Sequence, residues 1–245
     1  MNSTQPIISF IIPTLNEEQR IEASIASIRR LTAVPYEIVV ADGRSTDQTV
    51  ERARRLAARI VVSEKFVPGS ATEKNNGGKA AIGKYLVFID ADAEIPEING
   101  FFTCALGHFA AKPRLVALAV KKRALPMEET VASRFFFGLL NTTYRVSNNL
   151  LGLGLASGNF QMIEASAFRQ LGGYREDMVA GEDNDMYIRL SGIGRTYYDP
   201  SLYTVESTRR ARDLGWLRLY YRQTRNGIWV YLFNRSAYDE WRPVR

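Results

Sequence analysis

The chain has 245 residues, 46% hydrophobic and 24% charged, which excludes collagen, coiled coil and wholesale disorder and leaves ample material for a core. Its single cysteine, Cys104, cannot form an internal disulfide, so a disulfide-stapled secreted domain is excluded and a reducing compartment is expected. The net charge of +6 is confined to the last quarter: residues 189–245 hold eleven arginines, no lysine and five acids, while residues 1–188 are neutral. A cationic patch on a neutral body fits a local anionic partner, either lipid or a phosphorylated ligand.

No apolar run reaches the length of a transmembrane helix. Met1 to Pro6 lacks the basic start of a signal peptide, and Ile7–Ile12 is too short for its apolar stretch. The expected location is cytoplasmic, with peripheral attachment to the cytoplasmic membrane face through the tail.

In chain order, Ile7–Ile12 is a short β-rich run stopped by Pro13 and reads as a buried parallel strand. Ile21, Ile25 and Ile28 have helical spacing. Residues 37–41 form a second strand ending at Asp42-Gly43, after which Ser45 or Thr46 is placed to cap a helix running to about Ala58. Residues 59–62 give a third strand, Gly77–Gly83 lies in or beside a third helix, and Tyr85–Ile89 is a fourth strand ending at Asp90-Ala91-Asp92. This alternation predicts an α/β fold, a mostly parallel sheet flanked by helices on both faces. Ligands in such sheets sit beyond the carboxyl ends of the strands, where Pro13–Glu17, Asp42–Asp47 and Asp90–Asp92 all fall.

Further on, Leu115–Val120 and Phe160–Ile163 read as strands and Thr196–Tyr198 as an edge strand. Met127–Leu151, Ala165–Leu171 and Asp183–Leu190 read as helices. Leu214–Phe233 fits one helix or two, with Leu217, Tyr221, Thr224, Ile228 and Tyr231 on one stripe and Arg218, Arg222 and Arg225 on another. Basic residues with Trp and Tyr suit a membrane interface. The reading is one domain, residues 1–245, with lobes 1–92 and 93–200 and a basic aromatic tail 201–245.

Asp90 and Asp92, two residues apart at a strand end, can hold a hard divalent cation through oxygen. Lys79 can neutralise a phosphate. Arg209 and Arg210, with Arg212, can close over a diphosphate or a lipid phosphate. The run Gly181-Glu-Asp-Asn-Asp185 opens a helix, where acids are also favoured by the macrodipole. A carboxylate there can serve as general base. His108, the only histidine, reads as a surface helix residue.

Five pieces now stand in order: Phe10-Ile-Ile-Pro-Thr-Leu-Asn-Glu17, Glu37-Ile-Val-Val-Ala-Asp-Gly-Arg-Ser-Thr-Asp-Gln-Thr49, Asn76-Gly-Gly-Lys-Ala80, Tyr85-Leu-Val-Phe-Ile-Asp-Ala-Asp92 and Gly181-Glu-Asp183. Together they resemble the family 2 glycosyltransferases of the GT-A fold, over about residues 7–200. The resemblance implies a nucleotide-sugar donor, a uridine diphosphate sugar on family grounds, and an inverting mechanism assisted by Mg²⁺ or Mn²⁺. By position it implies that Thr14, Glu17 and Asp42 cradle the nucleoside. Asp90 lies near ribose or metal, Asp92 ligates the metal, and Asp183 is the base for a hydroxyl acceptor or a positioning group for a phosphate acceptor. Arg44 departs from the family pattern. The tail is poorly matched, so the acceptor, a sugar or a polyprenyl-phosphate-linked group, is left to the structure.

The rivals are weaker. A dehydrogenase or sugar nucleotidyltransferase needs a glycine-rich loop after the first strand, and Pro13–Glu17 has none; the run Gly152–Gly158 is in the wrong place. A lipid- or nucleic-acid-binding module is the non-enzymatic alternative. Nucleic acid is not expected, because the tail's aromatic and basic residues lie on a predicted helix rather than an exposed sheet.

Overall fold

The computed structural model describes residues 5–56 and 58–238, so residues 1–4 of the expected domain and residues 239–245 of its tail lie outside the described residues. Strands β1 (Ile8–Thr14), β2 (Tyr36–Asp42), β3 (Arg59–Val62) and β4 (Tyr85–Ile89) alternate with helices α1 (Ile21–Ile28), α2 (Thr49–Arg55) and α3 (Ala71–Ala80). Then come β5 (Ala93–Glu94), α4 (Ile98–Ala111), β6 (Leu115–Ala124), α5 (Val131–Val146), β7 (Phe160–Glu164) and α6 (Ala165–Gln170). The last elements among the described residues are α7 (Glu182–Ile193), β8 (Arg195–Glu206), α8 (Arg209–Leu214) and α9 (Trp216–Phe233).

Among the described residues eight strands join one sheet in the order β3-β2-β1-β4-β7-β6-β8-β5. β1, β2, β3 and β4 pair in parallel, as does β6 with β8; β7 runs antiparallel between β4 and β6. Alternation along the strands divides the interior in two. Phe10, Ile12, Val87 and Ile89 pack with α1 and α4 on one face, while Ile11, Leu86 and Phe88 pack with α3, α6 and α7 on the other. A Cβ on Gly77 would collide with Ile11, so this glycine is what lets α3 lie so close to the sheet.

Three expectations need correction. β1 continues through Pro13 to Thr14, because at that height only β2 flanks it and no second ladder needs the missing N–H. The Thr196–Tyr198 edge strand is a twelve-residue strand lying between β6 and β5, with its register broken opposite Val120 and Lys121. The capping at Ser45 or Thr46 does not occur: α2 starts at Thr49 with no side-chain cap and ends at Arg55. α5, by contrast, is delimited by a Thr130/Ser133 capping box.

A third apolar cluster joins α5 to the tail: Phe136, Phe137 and Leu140 with Ala211 and Leu219, and with Trp216 and Tyr220 packed against them. Among the described residues no helix is long and apolar enough to cross a membrane.

Candidate active site

The tips of β1 and β2 are knotted together by side chains. The Asp42 carboxylate, 1% exposed, accepts from Thr14 Oγ1 (3.1 Å), from Ser45 N (2.8 Å) and from Ser45 Oγ (2.5 Å). Asn16, in a left-handed conformation, takes Thr46 N on its Oδ1 at 2.7 Å and donates its own N–H to Ser45 Oγ at 2.8 Å. This is why Ser45 and Thr46 cap no helix: their groups go to the neighbouring loop. Thr14, Glu17 and Gly43 line a cleft of about 790 Å³; the expected nucleoside contact Asp42 is not among its lining residues, because its carboxylate is buried on Thr14 and Ser45.

Asp90 and Asp92 leave β4 and line the same cleft. Burial, then the adjacent Asp92 charge, pushes the Asp90 carboxyl up to about 7, with Lys74 acting the other way. Arg209 Nη2 lies 3.1 Å from Asp92 Oδ2 and 3.3 Å from Glu17 Oε1, drawing the first turn of α8 onto the strand tips. Arg210 also lines the cleft; burial lowers its pKa, and the charges of Asp90, Glu206 and Asp92 oppose that. Two carboxylates, one of them reluctant to ionise beside the other, make a hard oxygen donor set that fits Mg²⁺ or Mn²⁺.

Asp183 stands in the first turn of α7. Its Oδ1 accepts from Lys74 Nζ (2.6 Å) and Gln161 Nε2 (2.8 Å), while its Oδ2 faces Gly158, where a Cβ would collide with it. Lys74, 2% exposed, also donates to Glu182 Oε1 at 2.9 Å. Burial, then Glu182, pushes the Asp183 carboxyl up to about 6 against the pull of Lys74. Burial also opposes ionisation of Glu182, but Lys74 and Ser70 more than offset it and hold that carboxyl below its ordinary value. Burial alone would drain the Lys74 proton; Asp183 and Glu182 keep it. One buried ammonium therefore fixes both acids. Asp185 turns elsewhere, to Arg189 at 2.7 Å.

Of the expected site residues, Thr14, Glu17, Asp90, Asp92, Asp183, Arg209 and Arg210 share one cleft. Lys79 does not: it is exposed on the last turn of α3, and Lys74 is the lysine that reaches the acids. The two stand five positions apart in α3, which places them on different helix faces. Arg44 is exposed and bonds the Glu64 carbonyl. Also missed are Lys122, paired with Glu206 at 2.7 Å, and Gln161. The Gly152–Gly158 run, read only as a failed dinucleotide loop, forms a cleft wall from Leu153 to Gly158. His108 is no simple surface residue. Its Nε2 lies 2.5 Å from Asp199 Oδ2 and its ring packs on Tyr197, with the Cys104 Sγ at 3.8 Å.

Residues 9–172 match the family model described as Glycosyl transferase family 2. The chain belongs to this family. It is similar to the succinoglycan biosynthesis protein ExoA of Rhizobium meliloti (strain 1021), at 29% identity over 212 residues, 79% of this chain and 60% of that one. A PGL/p-HBAD biosynthesis glycosyltransferase of Mycobacterium tuberculosis (strain ATCC 25177 / H37Ra) is 35% identical over 98 residues, 38% of either chain. The chain thus spans 60% or less of the length of these relatives. Among solved structures, the mannosyltransferase PcManGT from Pyrobaculum calidifontis, in complex with GDP-Man and Mn²⁺, matches at TM-score 0.67 and 23% identity. That match covers 92% of this chain and 66% of the other. Glucosyl-3-phosphoglycerate synthase from Mycobacterium tuberculosis, in complex with Mn²⁺, UDP-Glc and phosphoglyceric acid, matches at 0.61 and 20%, covering 93% and 79%. These likenesses establish the GT-A fold.

Proposed function

We propose that this family 2 protein transfers a sugar from a nucleoside diphosphate sugar to an acceptor hydroxyl, with inversion at the anomeric carbon. The observation that carries the reading is the convergence of Asp90, Asp92, Asp183 and Arg209 on one cleft at the strand ends. Thr14 and Glu17 face the nucleoside, and Asp42 acts from below by holding their loop. Asp90 and Asp92 would hold Mg²⁺ or Mn²⁺, which when bound offsets the charge of the departing diphosphate. Arg209 and Arg210 meet the same diphosphate from α8. Asp183 Oδ2 takes the acceptor proton as its oxygen attacks from the face opposite the diphosphate, and Lys74 and Gln161 hold Oδ1 so that Oδ2 keeps its aim. A uridine diphosphate sugar is the proposed donor.

The cleft continues into an apolar end formed by Phe136, Leu140, Trp216, Leu219, Tyr220 and Tyr231. That end fits an acceptor sugar carried on a polyprenyl phosphate linkage. Calorimetric titration of uridine and guanosine diphosphate sugars, with and without Mn²⁺, tests the reading. Metal-dependent binding of at least one is expected, and binding of none under either condition overturns it.

A further inference from the structure

An amphipathic helix on a globular protein normally turns its apolar stripe to the core. α9 buries one apolar face and leaves a second one outside. The side chains it sends inward are Leu219, Asn226 and Val230, with Trp216 and Tyr220 against α5. The stripe at Leu217, Tyr221, Ile228, Tyr231 and Leu232 is left in solvent, from 51% exposed at Ile228 to 88% at Leu217. α5 adds exposed Val131, Phe135 and Leu139. Apolar surface of this extent marks an interface.

The charge around the stripe identifies its partner. α5 and α9 hold five arginines between them and no acid. Arg218 and Arg225 flank the exposed stripe, and Arg225 stacks over the Trp229 and Tyr238 rings at 5.6 and 5.2 Å. A second copy of the chain would set two cationic faces against each other, which is repulsive. A bilayer with anionic headgroups offers an apolar layer beneath a negative one, in the order that this helix presents apolar side chains beside arginines. Ile228, Tyr231 and Leu232 belong both to the exposed stripe and to the lining of the cleft, so the surface and the cleft mouth are continuous.

We propose that α9, supported by α5, docks on an anionic lipid bilayer with the apolar end of the cleft opening onto it. Docking stands on the surface alone. Its consequence, that the acceptor reaches Asp183 from the lipid phase, rests on the glycosyltransferase reading above.

The test is co-sedimentation with vesicles of phosphatidylglycerol and phosphatidylcholine in equal parts, against phosphatidylcholine alone. The protein is expected to pellet with the anionic vesicles at low salt and to be released at high salt. The double variants Leu217→Asp/Tyr221→Asp and Arg218→Glu/Arg225→Glu are each expected to lower partitioning at least about tenfold. Both should keep the wild-type circular dichroism and the wild-type thermal shift with nucleotide sugar and Mn²⁺. No pelleting of the wild type at low salt, or pelleting that survives both variants, overturns the proposal. So does a stable dimer in gel filtration that Leu217→Asp/Tyr221→Asp dissociates. A protein that pellets but binds no nucleotide sugar retains the docking surface and loses the catalytic reading; one that binds donor but never pellets does the opposite.

Discussion

Around Asp42 the chain satisfies itself: Thr14 and Ser45 hold the carboxylate, Asn16 holds Thr46, and little is left for a ligand to rearrange. Around α9 the chain leaves Leu217, Tyr221 and Ile228 to whatever lies outside. The first region is preorganised, which suits a rigid nucleotide whose binding should not carry the cost of ordering loops. The second is unfinished within the described residues, which suits an acceptor delivered by another phase. The two meet at Arg209, which belongs to the tail and grips Glu17 and Asp92 of the strand tips.

That division can be broken at the acids first. Asp92→Asn is expected to lower metal-dependent turnover about 10³-fold with the fold intact, read by steady-state kinetics across a Mn²⁺ series. Asp183→Asn should lower kcat about 10²- to 10⁴-fold while calorimetry finds donor affinity unchanged; a matching loss of donor affinity would move Asp183 to the nucleotide side of the division. Next comes the buried ammonium. Lys74→Met leaves two acids without their cation and should cost about 3–5 kcal/mol in denaturant unfolding, with part recovered by adding Glu182→Gln. The pH profile follows. A base must be ionised, and the Asp183 carboxyl is raised to about 6 by burial and Glu182. kcat/KM should therefore fall as pH drops below about 6, roughly tenfold per unit, and this acid limb should vanish in Asp183→Asn. Smallest is Lys79→Ala, expected to change stability by no more than about 0.5 kcal/mol and donor binding not at all, since the side chain is exposed off the cleft.

The strands were legible because buried parallel strands are short apolar runs with abrupt polar ends, and those ends are where ligands bind. The strand-end rule and the ordered motifs single out Asp90, Asp92 and Asp183, which line one cleft. What stayed hidden depends on contacts across the sequence. Nothing local separates Lys74 from Lys79; only the packing of α3 against α7, 108 residues on from Lys74 to Glu182, decides which lysine meets the acids. Ser45 looked like a helix cap because its alternative partners, Asn16 and Asp42, are not local helix groups. Periodicity finds the stripe on α9 but does not say whether it faces core or solvent. Its exposure follows from α5 and Gly181 taking the other side of the helix.

Cys104 is exposed on α4, away from the cleft-lining residues, and it is the one thiol in the chain. A single fluorophore can therefore be attached at a defined point without mutating any other cysteine. Burial and the Asp199 carboxylate raise the thiol's pKa, so maleimide coupling will run faster at mildly alkaline pH than at neutrality. Quenching of such a probe by labelled lipids would report how the molecule tilts once it has landed.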